Sequence, residues 1–168
     1  MKAFQEISAK QIIQNPFELI GDDWMLVTSG TEEKFNMMTA SWGGVGVLWK
    51  KDVAFIFIRP QRYTFELIEK NDAVTLSFFD ETKRSVLNLC GSKSGRDIDK
   101  VKETGLTPII TDQGIYYEEA KMVLCCKKLY AQNLDEGSFI DKSIIPSCYQ
   151  AGDYHKMYVC SIEKVLIK

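Results

Sequence analysis

Apolar and polar positions along this chain mostly follow the period of a strand. Over residues 73–79, Val74, Leu76 and Phe78 alternate with Thr75 and Ser77, which predicts a half-buried strand. Residues 24–30 read as a strand ending at a glycine turn, residues 31–34 as the polar loop of a hairpin, and residues 35–41 as the returning strand. Residues 43–49 follow, loosened by Gly43, Gly44 and Gly46 and expected to bulge. Lys50, Lys51 and Asp52 form a turn into residues 53–58, an apolar run of strand length. Residues 116–133 and 155–168 read as long β segments joined by a loop with Pro146 and Gly152.

Helical spacing is rarer. Tyr63–Lys70 puts Phe65 and Ile68 on one side and Glu66, Glu69 and Lys70 on the other, with Pro60 and Gln61 ahead as a helix start. Residues 82–104 favour helix but are expected to break at Gly91 and Gly95, and residues 4–15 lead as strand or loop into a helical turn before Pro16. Six or more antiparallel strands with few helices between them predict a closed or nearly closed barrel. A parallel sheet would need a crossover helix after nearly every strand.

The totals narrow the partners. A chain of 168 residues, 45% hydrophobic and 26% charged, is one domain with a real core. Its net charge of −2 gives no electrostatic reason to expect nucleic acid or an anionic membrane. No apolar stretch is long enough to span a bilayer, and the first residues lack an apolar signal core, so a cytoplasmic location is expected. The five cysteines at 90, 125, 126, 148 and 160 form no Cys-x-x-Cys, and His155 is the only histidine, so reduced, mostly buried thiols and no metal are expected.

Two segments about twenty residues apart carry candidate chemistry. Asn36-Met37-Met38-Thr39-Ala40-Ser41-Trp42-Gly43 offers amides and hydroxyls on a strand edge, where a flat polar ring can be held. Arg59-Pro60-Gln61-Arg62-Tyr63-Thr64 sets an arginine, a phenol and a hydroxyl at a helix start, where unpaired amides attract a phosphate. Together they point to a phosphorylated planar cofactor. Read alone, the first also describes a strand with one wet face, and the second a solvated arginine and a helix cap. Cys90-Gly91-Ser92-Lys93-Ser94-Gly95-Arg96-Asp97 adds a cationic, glycine-flanked loop able to bind an anion, without Walker A spacing. Gly43-Gly44-Val45-Gly46 lacks the third glycine and the crossover helix of a dinucleotide fingerprint. His155 is either a structural histidine or a hydrogen-bonding or proton-donating group near neutral pH.

These segments, with Lys100 and Gly152-Asp153-Tyr154-His155, occur in an order that resembles the flavin reductase-like family, the FMN-binding split barrels that include flavoredoxins. The resemblance runs from about Phe17 to Val165 and implies a mainly β, Greek-key FMN-binding split β-barrel with a few short flanking helices. It implies a homodimer with FMN near the subunit interface. Asn36, Met38, Thr39, Ala40, Ser41 and Trp42 would lie along the ring, and Arg62, Tyr63, Thr64, Cys90, Lys93 and Ser94 would complete the cofactor site around the phosphate. His155 would be the catalytic residue beside the isoalloxazine or an incoming nicotinamide. The implied activity passes electrons from NAD(P)H through flavin to an acceptor. The alternatives are a flavoredoxin-type carrier served by a protein electron partner, or a non-catalytic binding module. Many flavin reductases carry Gly-Asp-His at the last motif, and here Tyr154 intervenes before His155.

Overall fold

A computed structural model describes residues 3–168, and two of them, Ser41 and Trp42, account for the curl of its main sheet. In chain order the strands are β1 (Gln5–Ile7), β2 (Met25–Gly30), β3 (Phe35–Ala40), β4 (Gly43–Leu48), β5 (Lys51–Ile58), β6 (Ala73–Phe78), β7 (Pro108–Thr111), β8 (Gly114–Tyr117), β9 (Met122–Asn133) and β10 (Lys156–Ile167). The helices are α1 (Pro16–Gly21), α2 (Tyr63–Lys70), α3 (Arg84–Ser92), α4 (Lys100–Thr104) and α5 (Ile144–Cys148). The main sheet is antiparallel in the order β3-β2-β6-β9-β10-β5-β4, with β1 also paired to β10.

β3 and β4 are opposite ends of that order, yet only Ser41 and Trp42 separate them in sequence. Three peptide steps reach about 11 Å at most. The two ends of the sheet therefore have to converge, and the sheet rolls into a barrel that stays split along the β3/β4 seam. The chain crosses from β5 to β6 through α2, past β10 and β9, which makes the connection a Greek key.

Two apolar clusters result. Val27, Met38, Ala54, Ile56, Leu76, Leu124 and Cys160 belong to one, which fills the barrel. Leu26, Met37, Leu87, Cys90, Tyr117 and Val123 belong to a second, on the sheet's other face beneath α3 and the β7–β8 hairpin. The second cluster corrects the expectation of a half-buried β6. Thr75 and Ser77 are as deeply buried as their apolar neighbours, Thr75 donating its hydroxyl to the Ile115 carbonyl while the Ser77 hydroxyl has no partner among the described residues.

Other boundaries also differ from the sequence expectations. β4 pairs with β5 in unbroken register from Gly43↔Ile56 to Leu48↔Lys51, so no bulge forms. The turn between them uses Trp49 and Lys50, both at positive φ. Residues 116–133 hold two strands, since β8 ends at Tyr117 and β9 begins at Met122. α3 runs through Gly91, and α1 begins at Pro16 behind an Asn15 cap whose Oδ1 accepts from Phe17 N at 3.0 Å.

All five cysteines are free, and four are buried. Burial pushes the Cys125 thiol up to about 11 and Cys160 to about 12, so neither forms a thiolate at neutral pH. Among the described residues no helix is long and apolar enough to cross a membrane, and no group of three or more His, Cys, Asp or Glu could hold a metal.

Candidate functional site: a groove with two unlike ends

At the seam the end of β3 faces the end of β5. Met38, Thr39, Ala40, Ser41, Trp42, Phe57, Arg59, Arg62 and His155 line a cavity of about 240 Å³. A second cavity of about 160 Å³ continues from it, sharing Met38 and Arg62 and bounded by α2 and the loop after α3. The two make one groove.

The first end is aromatic and balanced in charge. The Trp42 indole is half exposed, with its centroid 5.2 Å from the His155 ring. Thr39 commits its hydroxyl to the Leu87 carbonyl at 2.5 Å, so it offers the groove a methyl group and backbone. Arg59 is ion-paired with Asp153, donates to the Cys148 carbonyl at 2.8 Å and lies over the Tyr149 ring at 5.2 Å. Asp153 also accepts from Gln61 at 2.6 Å. His155 is 8% exposed, and burial, aided by the Arg59 charge, lowers its pKa to about 4. At that value the imidazole is neutral at pH 7.

The second end is cationic and unbalanced. Arg62 stands at the N-cap position of α2 without a side-chain cap and donates to the Gly91 carbonyl at 2.9 Å. Burial, with Arg59 nearby, lowers its pKa from the usual arginine value. Lys100 is 5% exposed, and its ammonium donates to the carbonyls of Met37 and Cys90, each at 2.8 Å. Burial lowers its pKa to about 8. No carboxylate pairs with Arg62, Lys93 or Lys100 among the described residues, whereas Arg96, just outside, is paired with Glu66. A buried cation bonded only to carbonyls, as Lys100 is, is costly, and a bound anion would offset that cost.

Polar groups at this end are held from behind. Asn36 donates from Nδ2 to Thr64 Oγ1 at 2.9 Å, leaving the Thr64 hydroxyl proton to donate elsewhere. Ser94 Oγ accepts from Arg96 N at 3.1 Å. The loop closes tightly over Asn36: a Cβ on Gly95 would meet Asn36 Oδ1 at 2.1 Å. Tyr63 lines the same cavity, its ring flanked by Arg96 at 5.0 Å and Lys34 at 5.8 Å.

Most of the residues read from sequence come together here, with two differences. Asn36 lies at the cationic end, because its amide is tied to Thr64. Cys90 is fully buried in the second core cluster and lines neither cavity; only its carbonyl reaches the site, through Lys100. Sequence reasoning passed over Phe57 and Tyr149 as site residues, and named Lys100 only within the family pattern. Phe57 carried a signal in the apolar run before Arg59, whereas Tyr149 carried none.

The barrel is split along a seam that holds a groove with one aromatic end and one cationic end. The chain belongs to the flavin reductase-like family: residues 19–167 match the flavin reductase like domain. Among solved structures, the FMN-binding protein of Thermus thermophilus with bound 1-cyclohex-2-enone is similar at 20% identity and TM-score 0.67, over 98% of this chain and 79% of that one. The flavoredoxin of Desulfovibrio vulgaris (Miyazaki F) is similar at 18% identity and TM-score 0.68, over 98% and 76%. The styrene monooxygenase flavin reductase of Pseudomonas putida S12 is similar at 11% identity and TM-score 0.62, over 85% and 77%. Among curated proteins, no sequence matches the chain.

Proposed function

We propose that this protein binds FMN in the split groove and works as an NAD(P)H-dependent flavin oxidoreductase. One observation carries the reading: Arg62 and the buried Lys100, unpaired with any carboxylate among the described residues, sit at one end of a groove whose other end is neutral and aromatic. A ligand with a dianionic phosphate and an apolar planar head matches both ends. Arg62, Lys100, Lys93 and the Thr64 hydroxyl would hold the phosphate by charge-assisted hydrogen bonds. Ala40, Ser41 and Trp42 would lie along the ring, with Phe57 and His155 lining the same cavity.

When bound, the flavin supplies hydride acceptance from a reduced nicotinamide and electron delivery to an acceptor. The chain's own residues orient and shield. Trp42 and Phe57 exclude water from the flat end, and Arg59, held by Asp153, keeps a fixed charge at its rim. His155, neutral at pH 7, would offer a hydrogen bond.

FMN added to flavin-free protein and followed by fluorescence quenching tests the binding. Adding NADH or NADPH under nitrogen and following the loss of flavin absorbance tests the reductase activity. Binding with no bleaching by either nicotinamide favours a flavoredoxin-type carrier served by a protein donor, a reading that the half-exposed Trp42 at the groove mouth also supports. Absence of FMN binding favours a non-catalytic module. A homodimer is part of the proposal: Trp49 and Tyr130 meet edge-on at 6.0 Å, each about half exposed, and sedimentation at twice the chain mass is the expected result. A cytoplasmic location completes the reading.

A further inference from the structure

We infer that Tyr149 is a positioning residue: its hydroxyl donates to Nδ1 of His155 and fixes the imidazole as the tautomer that carries its proton on Nε2, facing the groove. The tautomer rests on geometry alone, while its use toward a flavin or nicotinamide carbonyl rests on the function proposed above.

The two rings meet edge to face at 81°, with Tyr149 Oη 2.8 Å from His155 Nδ1. Both residues are nearly buried, at 5% and 8% exposure. That contact is the only hydrogen bond of the Tyr149 hydroxyl among the described residues. If Nδ1 carried the proton, the phenol oxygen would accept it and the phenol proton would be left without an acceptor. With Nδ1 unprotonated, the phenol donates and both groups are satisfied. The neutral ring must then hold its proton on Nε2.

Nε2 makes no hydrogen bond to the described residues, yet it is absent from the buried unpartnered polar atoms, where Ser77 Oγ stands alone. It therefore keeps surface open, and the cavity that His155 lines is the flat end of the groove. Tyr149 has little freedom to turn away. Arg59 covers its face at 5.2 Å, and Tyr154 and Phe139 pack against it at 4.9 and 5.7 Å. The backbone is set as well, with Tyr149 N bonded to the Ile145 carbonyl at 2.8 Å and Gly152 N to the Tyr149 carbonyl at 2.9 Å. The result is a rigid, neutral N–H donor aimed into the groove, suited to a carbonyl oxygen of a flat ring.

Because the chain has one histidine, nitrogen NMR of histidine-labelled protein reads this ring without assignment. The sample is the flavin-free protein at pH 7. The expected spectrum shows one nitrogen bearing hydrogen, coupled as Nε2, and one bare nitrogen, Nδ1. Tyr149→Phe, with its fold checked by the backbone amide spectrum, should collapse the two shifts toward the average of a freely exchanging imidazole. A wild-type spectrum with the proton on Nδ1 would overturn the inference, as would a folded Tyr149→Phe variant that keeps the wild-type shifts. Should that variant fail to fold, the wild-type spectrum still decides. Titrating FMN into the same sample separates the two ideas: a protein that ignores FMN yet shows the Nε2–H tautomer refutes the proposed function and leaves Tyr149's role standing.

Discussion

The two ends of the groove treat charge in opposite ways. At the aromatic end Arg59 is neutralised by Asp153, and the one imidazole is uncharged. At the other end Arg62 and Lys100 point at carbonyls and at each other's field, with no carboxylate among the described residues to balance them. A fold does not bury cations in that state for stability, since a carboxylate partner or an apolar side chain would serve better. On the proposed function the surplus is a ligand-binding feature: the cationic end would supply affinity for an anion, and the aromatic end shape for a ring.

The largest expected effects break the cationic end alone. Arg62→Ala should weaken FMN binding by about 2–3 kcal/mol, roughly 30- to 150-fold, as for loss of a charged hydrogen-bond partner. Riboflavin, which has no phosphate, should bind that variant and the wild type alike; isothermal titration with both ligands checks it. Lys100→Met should show the same selectivity with a loss of about 10- to 100-fold.

A pH series sharpens the comparison without mutation. Lys100 would hold a phosphate as the ammonium, so FMN affinity should fall as pH rises through about 8, while riboflavin affinity stays level. The free protein should show the linked effect. The native lysine releases its proton near 8 and the unfolded one near about 10.4, so between those values the unfolded chain holds more protons and stability rises with pH from this group. Urea midpoints for wild type and Lys100→Met across that window should differ in slope in that sense.

Smaller effects belong to the aromatic end and the rim. Trp42→Ala should weaken FMN and riboflavin equally, by about 3- to 10-fold, the value of one aromatic contact. Lys93 is exposed, and Lys93→Ala should cost less than about fivefold, a loss that vanishes at 0.5 M salt.

How much of this was legible in the sequence follows from which interactions are local. The bounds of α2 were legible from the spacing of Phe65 and Ile68 and from Pro60 ahead of its start, although its buried face is Thr64, Leu67 and Ile68. Arg62 was legible for the same reason. The glycines of β4 misled: Gly43 is required by close approach, since a Cβ there would lie 2.8 Å from the Phe55 carbonyl, and the register runs on without a bulge. Gly91 sits within α3 and does not end it. The gap between β8 and β9 contains neither glycine nor proline, so nothing marked it. Lys100 was named only within the family pattern and given no role, and its contacts with Met37 and Cys90 are what make it a buried cation. Tyr149 looks like any loop aromatic until the turn through Gly152 folds it back onto His155.

The ratio of riboflavin to FMN dissociation constants in the wild-type protein, measured at pH 7 and low salt, tests the central claim most directly. An anion lodge built from Arg62 and Lys100 predicts FMN tighter by at least about 100-fold, two charged contacts being worth about 3 kcal/mol or more. Equal affinities would mean that the phosphate is not held there, and would contradict the account.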